Sequence, residues 1–260
     1  MEIQLLWTLL LITFSGSMAK RDFRGKALLF PKPTANSYVT LTPLLNKKLQ
    51  SFTVCLWTYS ELSRGYSVFS YATRASANEI LLFRDRVGQY SLTVGGEEVT
   101  FQVTESPLTP VDICATWESA TGVAEIWMNG KPLVRKVMKV GYALSDNPKI
   151  ILGQDQDTYG GGFDINQSFV GEIGNVHMWD YVLPPKLIKV KCFWGNVLNW
   201  RKLEFQKYGS MSIAPHLWDS EGSWTSESGK IKETYADKEC QTQPCCRDVT
   251  LGKKEPAHTQ

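Results

Sequence analysis

The chain has 260 residues, 43% of them hydrophobic and 12% aromatic, ample for one large β domain. Lys and Arg total 28 against 26 Asp and Glu, giving a net charge of +2, so no strong field favours nucleic acid or an acidic membrane surface. No Lys/Arg block is long enough to serve as a nucleic-acid arm.

The N-terminus reads as an export signal over residues 1–19. An apolar run at 5–14 is followed by small and polar residues ending in Ser17, Met18 and Ala19, a usable cleavage site. Its leading residues are atypical, with Glu2 and no basic side chain. The run is shorter than the ~20 apolar residues that a bilayer span needs. No second apolar stretch could serve as a transmembrane anchor, so a secreted, extracellular protein is expected. Export makes disulfides possible. Cys55 and Cys114 each lie inside a strand-like segment, which suits a bridge pinning two strands of one domain. Cys192, Cys240, Cys245 and Cys246 cluster late, and no pairing among them follows from sequence. With three histidines and no metal-ligand rhythm, zinc is not expected.

The middle of the chain reads as strand after strand. Residues 51–59 alternate Phe52, Val54 and Leu56 with Cys55, Trp57 and Tyr59, apolar on both faces as in a buried strand. Residues 90–94 and 99–103 alternate around Gly95-Gly96, a hairpin signal, and residues 124–128 run into the turn dipeptide Asn129-Gly130. Residues 148–153 and 168–173 flank a polar, glycine-rich loop at 154–167. Pro184-Pro185 followed by residues 186–192 predicts one short helix. This spacing favours an all-β, antiparallel jelly-roll-like sandwich with a single helix, without internal repeats. The folded domain is expected over residues 20–218. Residues 219–260 are rich in Ser, Glu, Lys and Thr and poor in aliphatics, the composition of a disordered tail.

The loop at 154–167 carries the chemistry. Asp155, Asp157 and Asp164 put three carboxylates within ten positions, with Gln154, Gln156 and Gln167 as further oxygens. Gly160, Gly161 and Gly162 let the chain fold back so that these oxygens converge. Hard oxygen donors without His or Cys are what calcium selects, although a solvated acidic loop that binds nothing has the same composition. The spacing is not that of an EF-hand.

Several segments carry a family resemblance. Val111-Asp-Ile-Cys-Ala-Thr-Trp-Glu-Ser119 resembles the pentraxin signature, a His-x-Cys-x-Ser/Thr-Trp-x-Ser pattern. Residues 69–73, 78–83, 151–157 and 170–174 resemble short pentraxins as well, and the likeness runs from about residue 20 to 218. The resemblance implies a flattened, lectin-like jelly roll of two antiparallel sheets, a Cys55–Cys114 bridge, a homo-oligomer of pentamer type, and a face where two Ca2+ ions bind ligands. The calcium ligands it implies are Asn78, Asp155, the main-chain carbonyl of Gln156, Asp157, Asp164 and Gln167. A phosphocholine pocket would fall on Phe83, Thr93 and Glu98: an apolar wall for choline methyls, a small residue that leaves room, and a carboxylate for the quaternary nitrogen. Phosphoethanolamine and phosphorylated carbohydrates fit the same chemistry. Taken alone, Phe83 would equally suit a core position and Glu98 a plain surface charge.

The chain also departs from the family. Ala77 stands where the family places an Asp next to Asn78, which removes a charge and an oxygen from the ion. Losses even one layer out weaken metal sites by ~10–100-fold, so weaker calcium binding is expected. Asp155 replaces a longer Glu, and Asp112 replaces the signature histidine. Asn129 and Cys192 stand where a complement-recruiting member has Asp and Tyr, which argues against complement contact. Asn166-Gln167-Ser168 forms a glycosylation triplet inside the loop. The reading is a calcium-dependent pattern-recognition protein of innate immunity, not an enzyme. The alternatives are a pentraxin scaffold that has lost ligand binding and, remotely, a glycoside hydrolase. The last needs two carboxyl groups ~5–9.5 Å apart with aromatic sugar platforms, and those platforms are missing.

Overall fold

The computed structural model describes residues 22–104, 109–191 and 193–216. The export signal, the tail from 219 and Cys192, Cys240, Cys245 and Cys246 lie outside the described residues. Sixteen strands and one α-helix follow in order. They begin β1 (Lys26–Phe30), β2 (Tyr38–Thr42), β3 (Ser51–Tyr59), β4 (Tyr66–Ala72), β5 (Ile80–Arg86) and β6 (Gln89–Val94). Next come β7 (Glu97–Gln102), β8 (Val111–Glu118), β9 (Val123–Met128), β10 (Lys131–Pro132), β11 (Lys136–Val137) and β12 (Lys149–Leu152). The series ends with β13 (Gly171–Trp179), α1 (Pro185–Val190), β14 (Leu198–Asn199), β15 (Glu204–Tyr208) and β16 (Ser212–Pro215).

One sheet runs β10-β9-β8-β3-β13-β1-β16, with β11 on β9 and β14 on β13; the other runs β15-β2-β12-β4-β5-β6-β7. Every pair is antiparallel. Two stacked sheets built by long crossovers make the jelly-roll sandwich expected from the strand spacing. The turns Gly95-Gly96 and Asn129-Gly130 all take positive φ, as two-residue hairpin turns of this hand require. Between the sheets, Phe52, Val54, Leu56, Ile113 and Trp117 meet Val68, Ile80, Leu82, Leu92 and Phe101, all buried. Trp117 donates its indole N–H to the Met138 carbonyl at 3.1 Å, so this buried donor is satisfied.

The second apolar set of β3 lies on the outer face of the first sheet. Register places His177, Cys55, Cys114 and Trp127 in one row across four strands. Cys55 and Cys114 face each other with Cα atoms 4.1 Å apart and form the disulfide. Helix α1 and the segment leading into it cover this row, with Ile188 of the helix and Leu183 before it packed among Trp127 and Trp179. The helix stops at Val190 instead of running to 192, because Lys191 turns left-handed at φ 53 and its N–H caps the Ile188 carbonyl. Lys191 there forms an ion pair with Asp112, whose main-chain N–H donates to Asn129 Oδ1 at 2.9 Å. The Asp that replaces the signature histidine therefore fastens the end of the helix.

A bulge in β13 explains a buried imidazole. The register slips between Gly174 and His177, and Asn175 absorbs the extra residue at φ 51. Val176 and Met178 then face the core while His177 turns outward beneath Trp179 and Phe193. Gly195 N–H donates to His177 Nδ1 at 3.3 Å, so the ring proton sits on Nε2 and points to Asn175 Oδ1 at 3.1 Å. Burial, helped by the nearby Arg201 charge, pulls the His177 pKa down to about 3.

Candidate functional site

The outer face of the second sheet carries the expected pocket residues. Antiparallel register aligns Ser70, Leu81, Thr93 and Glu98 in one row, and Ser67, Phe83, Ser91 and Thr100 in the next. Because side chains alternate, these residues point away from Ile80, Leu82, Leu92 and Val94 in the core. Phe83 is half-buried, Thr93 is buried and Glu98 is exposed. Neighbouring strands lie ~4.8 Å apart, so Thr93 and Glu98 are immediate neighbours and Phe83 stands one row away. Phe83 is therefore a wall on the outer face and not a core residue.

The loop that leaves β12 is laid over this face by two buried glutamines. Gln154 Nε2 donates to the carbonyls of Thr34 at 2.6 Å and Ser37 at 3.1 Å. Gln156 Nε2 donates to Ser70 Oγ at 3.1 Å, Ser70 O at 3.3 Å and Lys149 O at 3.0 Å, while its Oε1 accepts Gly160 N–H at 2.9 Å. The Gln156 side chain is thus fully engaged, leaving its main chain as the part able to meet a ligand. Thr158 and Gly161 exchange N–H to carbonyl bonds of 3.1 Å, and a Cβ at Gly162 would sit 2.8 Å from that of Asp157. Glycine is required there for the chain to fold back on the carboxylate.

Asp155 is only 3% exposed, and its Oδ1 has no hydrogen-bond partner among the described residues. Burial pushes its pKa up to about 6, and the negative charge of exposed Asp157 adds to this, against a main-chain hydrogen bond from Gln156. Asn78 sits in the turn between β4 and β5. Its carbonyl accepts Gly96 N–H at 3.0 Å, and the Glu79 carbonyl accepts Gly95 N–H at 2.9 Å. The buried Glu79 carboxylate accepts Ser145 N–H at 2.6 Å and the Tyr142 hydroxyl at 3.1 Å. Burial first, and then Glu79, raises Tyr142 to about 12. The Asn78 side-chain oxygen, held by this fixed turn, is also buried without a partner.

Asp164 caps a 3-10 turn over Ile165–Gln167, and Gln167 is its last residue. Asp164 Oδ1 accepts the main-chain N–H of Asn166 at 2.9 Å and its Nδ2 at 3.0 Å, so half of that carboxylate is engaged locally. Gln167 Oε1 is buried and unpartnered. Arg64 straps the turn, donating to Asn166 O at 2.9 Å and Ser168 Oγ at 3.3 Å. Sequence reasoning passed over Arg64, Glu79 and Tyr142, since each supports the site through contacts with distant segments. Arg74 was missed likewise: its guanidinium lies 5.0 Å from the Tyr159 ring centroid, near Lys149, and adds positive charge beside the loop.

Oxygens of Asn78, Asp155 and Gln167, together with Gln154 Oε1, are buried without partners. Each such atom costs about 1–3 kcal/mol when nothing satisfies it. Among the described residues no three His, Cys, Asp or Glu side chains cluster closely enough to hold a metal, so any cation held here would need amide and main-chain oxygens as well. That donor chemistry, hard and neutral with one or two carboxylates, fits calcium and not zinc.

The two-sheet sandwich with one helix-covered face and one face under an oxygen-rich loop is a lectin-like jelly roll built for recognition. The chain belongs to the pentraxin family: the model for the Pentaxin family matches residues 26–215. It is 50% identical to C-reactive protein of Rattus norvegicus over 220 residues, covering 83% of this chain and 96% of that protein. It is 46% identical to mucosal pentraxin of Bos taurus over 217 residues, covering 84% and 100%. The solved heptameric SAP-like pentraxin from Limulus polyphemus shares the fold at TM-score 0.66 and 21% identity, covering 75% of this chain and 96% of that one. As a pentraxin the chain is a recognition protein and not an enzyme.

Proposed function

We propose that the chain is a secreted, calcium-dependent recognition protein for phosphocholine or related phosphorylated ligands. The observation that supports this reading is that oxygens of Asn78, Asp155 and Gln167 are buried without hydrogen-bond partners among the described residues, while the outer face of the second sheet presents Phe83, Thr93 and Glu98. Asn78, Asp155, the Gln156 carbonyl, Asp157, Asp164 and Gln167 would hold the ions. Bound calcium would supply positive charge for phosphate oxygens. Phe83 would pack choline methyls and Glu98 would face the quaternary nitrogen.

The heptameric state of the Limulus polyphemus SAP-like pentraxin supports a homo-oligomer, with the pentamer as the form to test by light scattering. Export is supported by the apolar run at 5–14, and no described helix is long and apolar enough to cross a membrane. A second reading rests on Ala77: a scaffold whose calcium affinity has fallen below the physiological range. Retention on immobilised phosphocholine in millimolar calcium, with elution by chelator, separates the two. Retention that ignores calcium, or none at all, would sink the first reading.

A further inference from the structure

We propose that Asn166 is an N-glycosylation site and that its glycan borders the ligand face, so that this face admits single head groups more readily than packed surfaces. The glycan depends on export, and the bordering effect rests on the ligand face proposed above. Asn166-Gln167-Ser168 is the only Asn-x-Ser/Thr triplet in the sequence, and Gln at its centre is permissive. Within it, Asn166 is exposed, Gln167 half-buried and Ser168 buried. The Asn166 amide makes one bond, Nδ2–H to Asp164 Oδ1 at 3.0 Å. Its second Nδ2 proton has no acceptor among the described residues, so a substituent there leaves the fold intact.

In the transfer step, Nδ2 bonds to the anomeric carbon of a lipid-pyrophosphate-linked oligosaccharide. The anomeric C–O bond breaks, the lipid pyrophosphate leaves, and one Nδ2 proton is lost. The remaining N–H still reaches Asp164. Ser168 Oγ, by contrast, is enclosed in the folded chain between Ile165 O at 2.6 Å and Arg64. The triplet must therefore be read before the loop closes, as happens during export.

The root of the glycan is rigid. Asn166 N–H binds Asp164 Oδ1 at 2.9 Å, and its carbonyl accepts from Arg64 at 2.9 Å. A bulky, hydrated chain would thus rise from a fixed point directly between Asp164 and Gln167. A small soluble head group can pass beside it, whereas a bilayer surface cannot approach as closely.

The test uses the full chain secreted from mammalian cells. Peptide mass mapping should find sugar on Asn166, removed by peptide-N-glycosidase and absent from Asn166→Gln. An unmodified Asn166 in secreted protein overturns the proposal. Native trimming of a high-mannose form to its first sugar by an endoglycosidase, which leaves the Asn166 amide uncharged, should raise capture on phosphatidylcholine vesicles several-fold while leaving affinity for soluble phosphocholine unchanged. Equal vesicle capture before and after overturns the bordering effect. Absence of any phosphocholine binding sinks that effect together with the proposed function, while the mass map still decides the modification.

Discussion

Acidification should destabilise this fold through His177, and the size of the effect follows from its surroundings. The imidazole is 1% exposed, both ring nitrogens are hydrogen-bonded in the neutral form, and its pKa falls from 6.5 to about 3. Between these values the unfolded chain binds a proton that the folded chain refuses, so stability falls as pH falls. At pH 5 the loss is about 2 kcal/mol, growing by about 1.4 kcal/mol per further pH unit until the folded pKa is reached. The assay is urea unfolding of wild type and His177→Asn across pH 7.5 to 4, with chelator present. Carboxylates in the two proteins titrate alike and cancel in the difference. The variant is less stable than wild type at neutral pH by the lost packing, and that deficit should shrink or invert as pH drops. A difference between the two proteins that stays flat across this range would refute the account of a neutral, buried ring.

Four further outcomes follow from the packing and the site. Asp157→Ala should abolish thermal stabilisation by millimolar calcium, whereas Ala77→Asp should tighten calcium binding by at least ~10-fold by calorimetry. Replacing both Cys55 and Cys114 by Ala should cost about 4 kcal/mol in denaturant unfolding, as expected for a bridge closing a separation of 59 residues. Gly171→Ala should lower the midpoint sharply, since φ is 127 there and a Cβ would lie 2.1 Å from the Tyr59 carbonyl oxygen, a backbone atom that cannot step aside.

Much of the architecture was legible because strands and tight turns announce themselves locally. Residues 51–59 match β3, and Gly95-Gly96 and Asn129-Gly130 fall at hairpin turns. The two apolar faces of β3 were visible too, but not that one faces the core and the other a helix. That division depends on where α1 lands, and alternation along a single strand cannot reveal it. The helix end was misjudged because a lysine in the left-handed region has no sequence signal, unlike the glycine usually found there. The family pattern placed Phe83, Thr93 and Glu98, and strand register then gathered them on one patch. The residues that hold the loop down were illegible: Arg64 lies about a hundred positions from the atoms it binds, and Gln156 looks like any polar loop residue until Ser70 and Lys149 are seen beneath it.

The bracing of that loop has a thermodynamic corollary. Gln154, Gln156, Arg64 and the Phe163–Tyr38 ring contact at 4.7 Å brace it against the rest of the chain. Such bracing would leave a bound cation little configurational freedom to remove, so most of its attraction would be retained as affinity. A loop built in advance tolerates a missing ligand better than one that must be assembled around its metal. Rigidity of this kind would offset part of the charge that Ala77 leaves out.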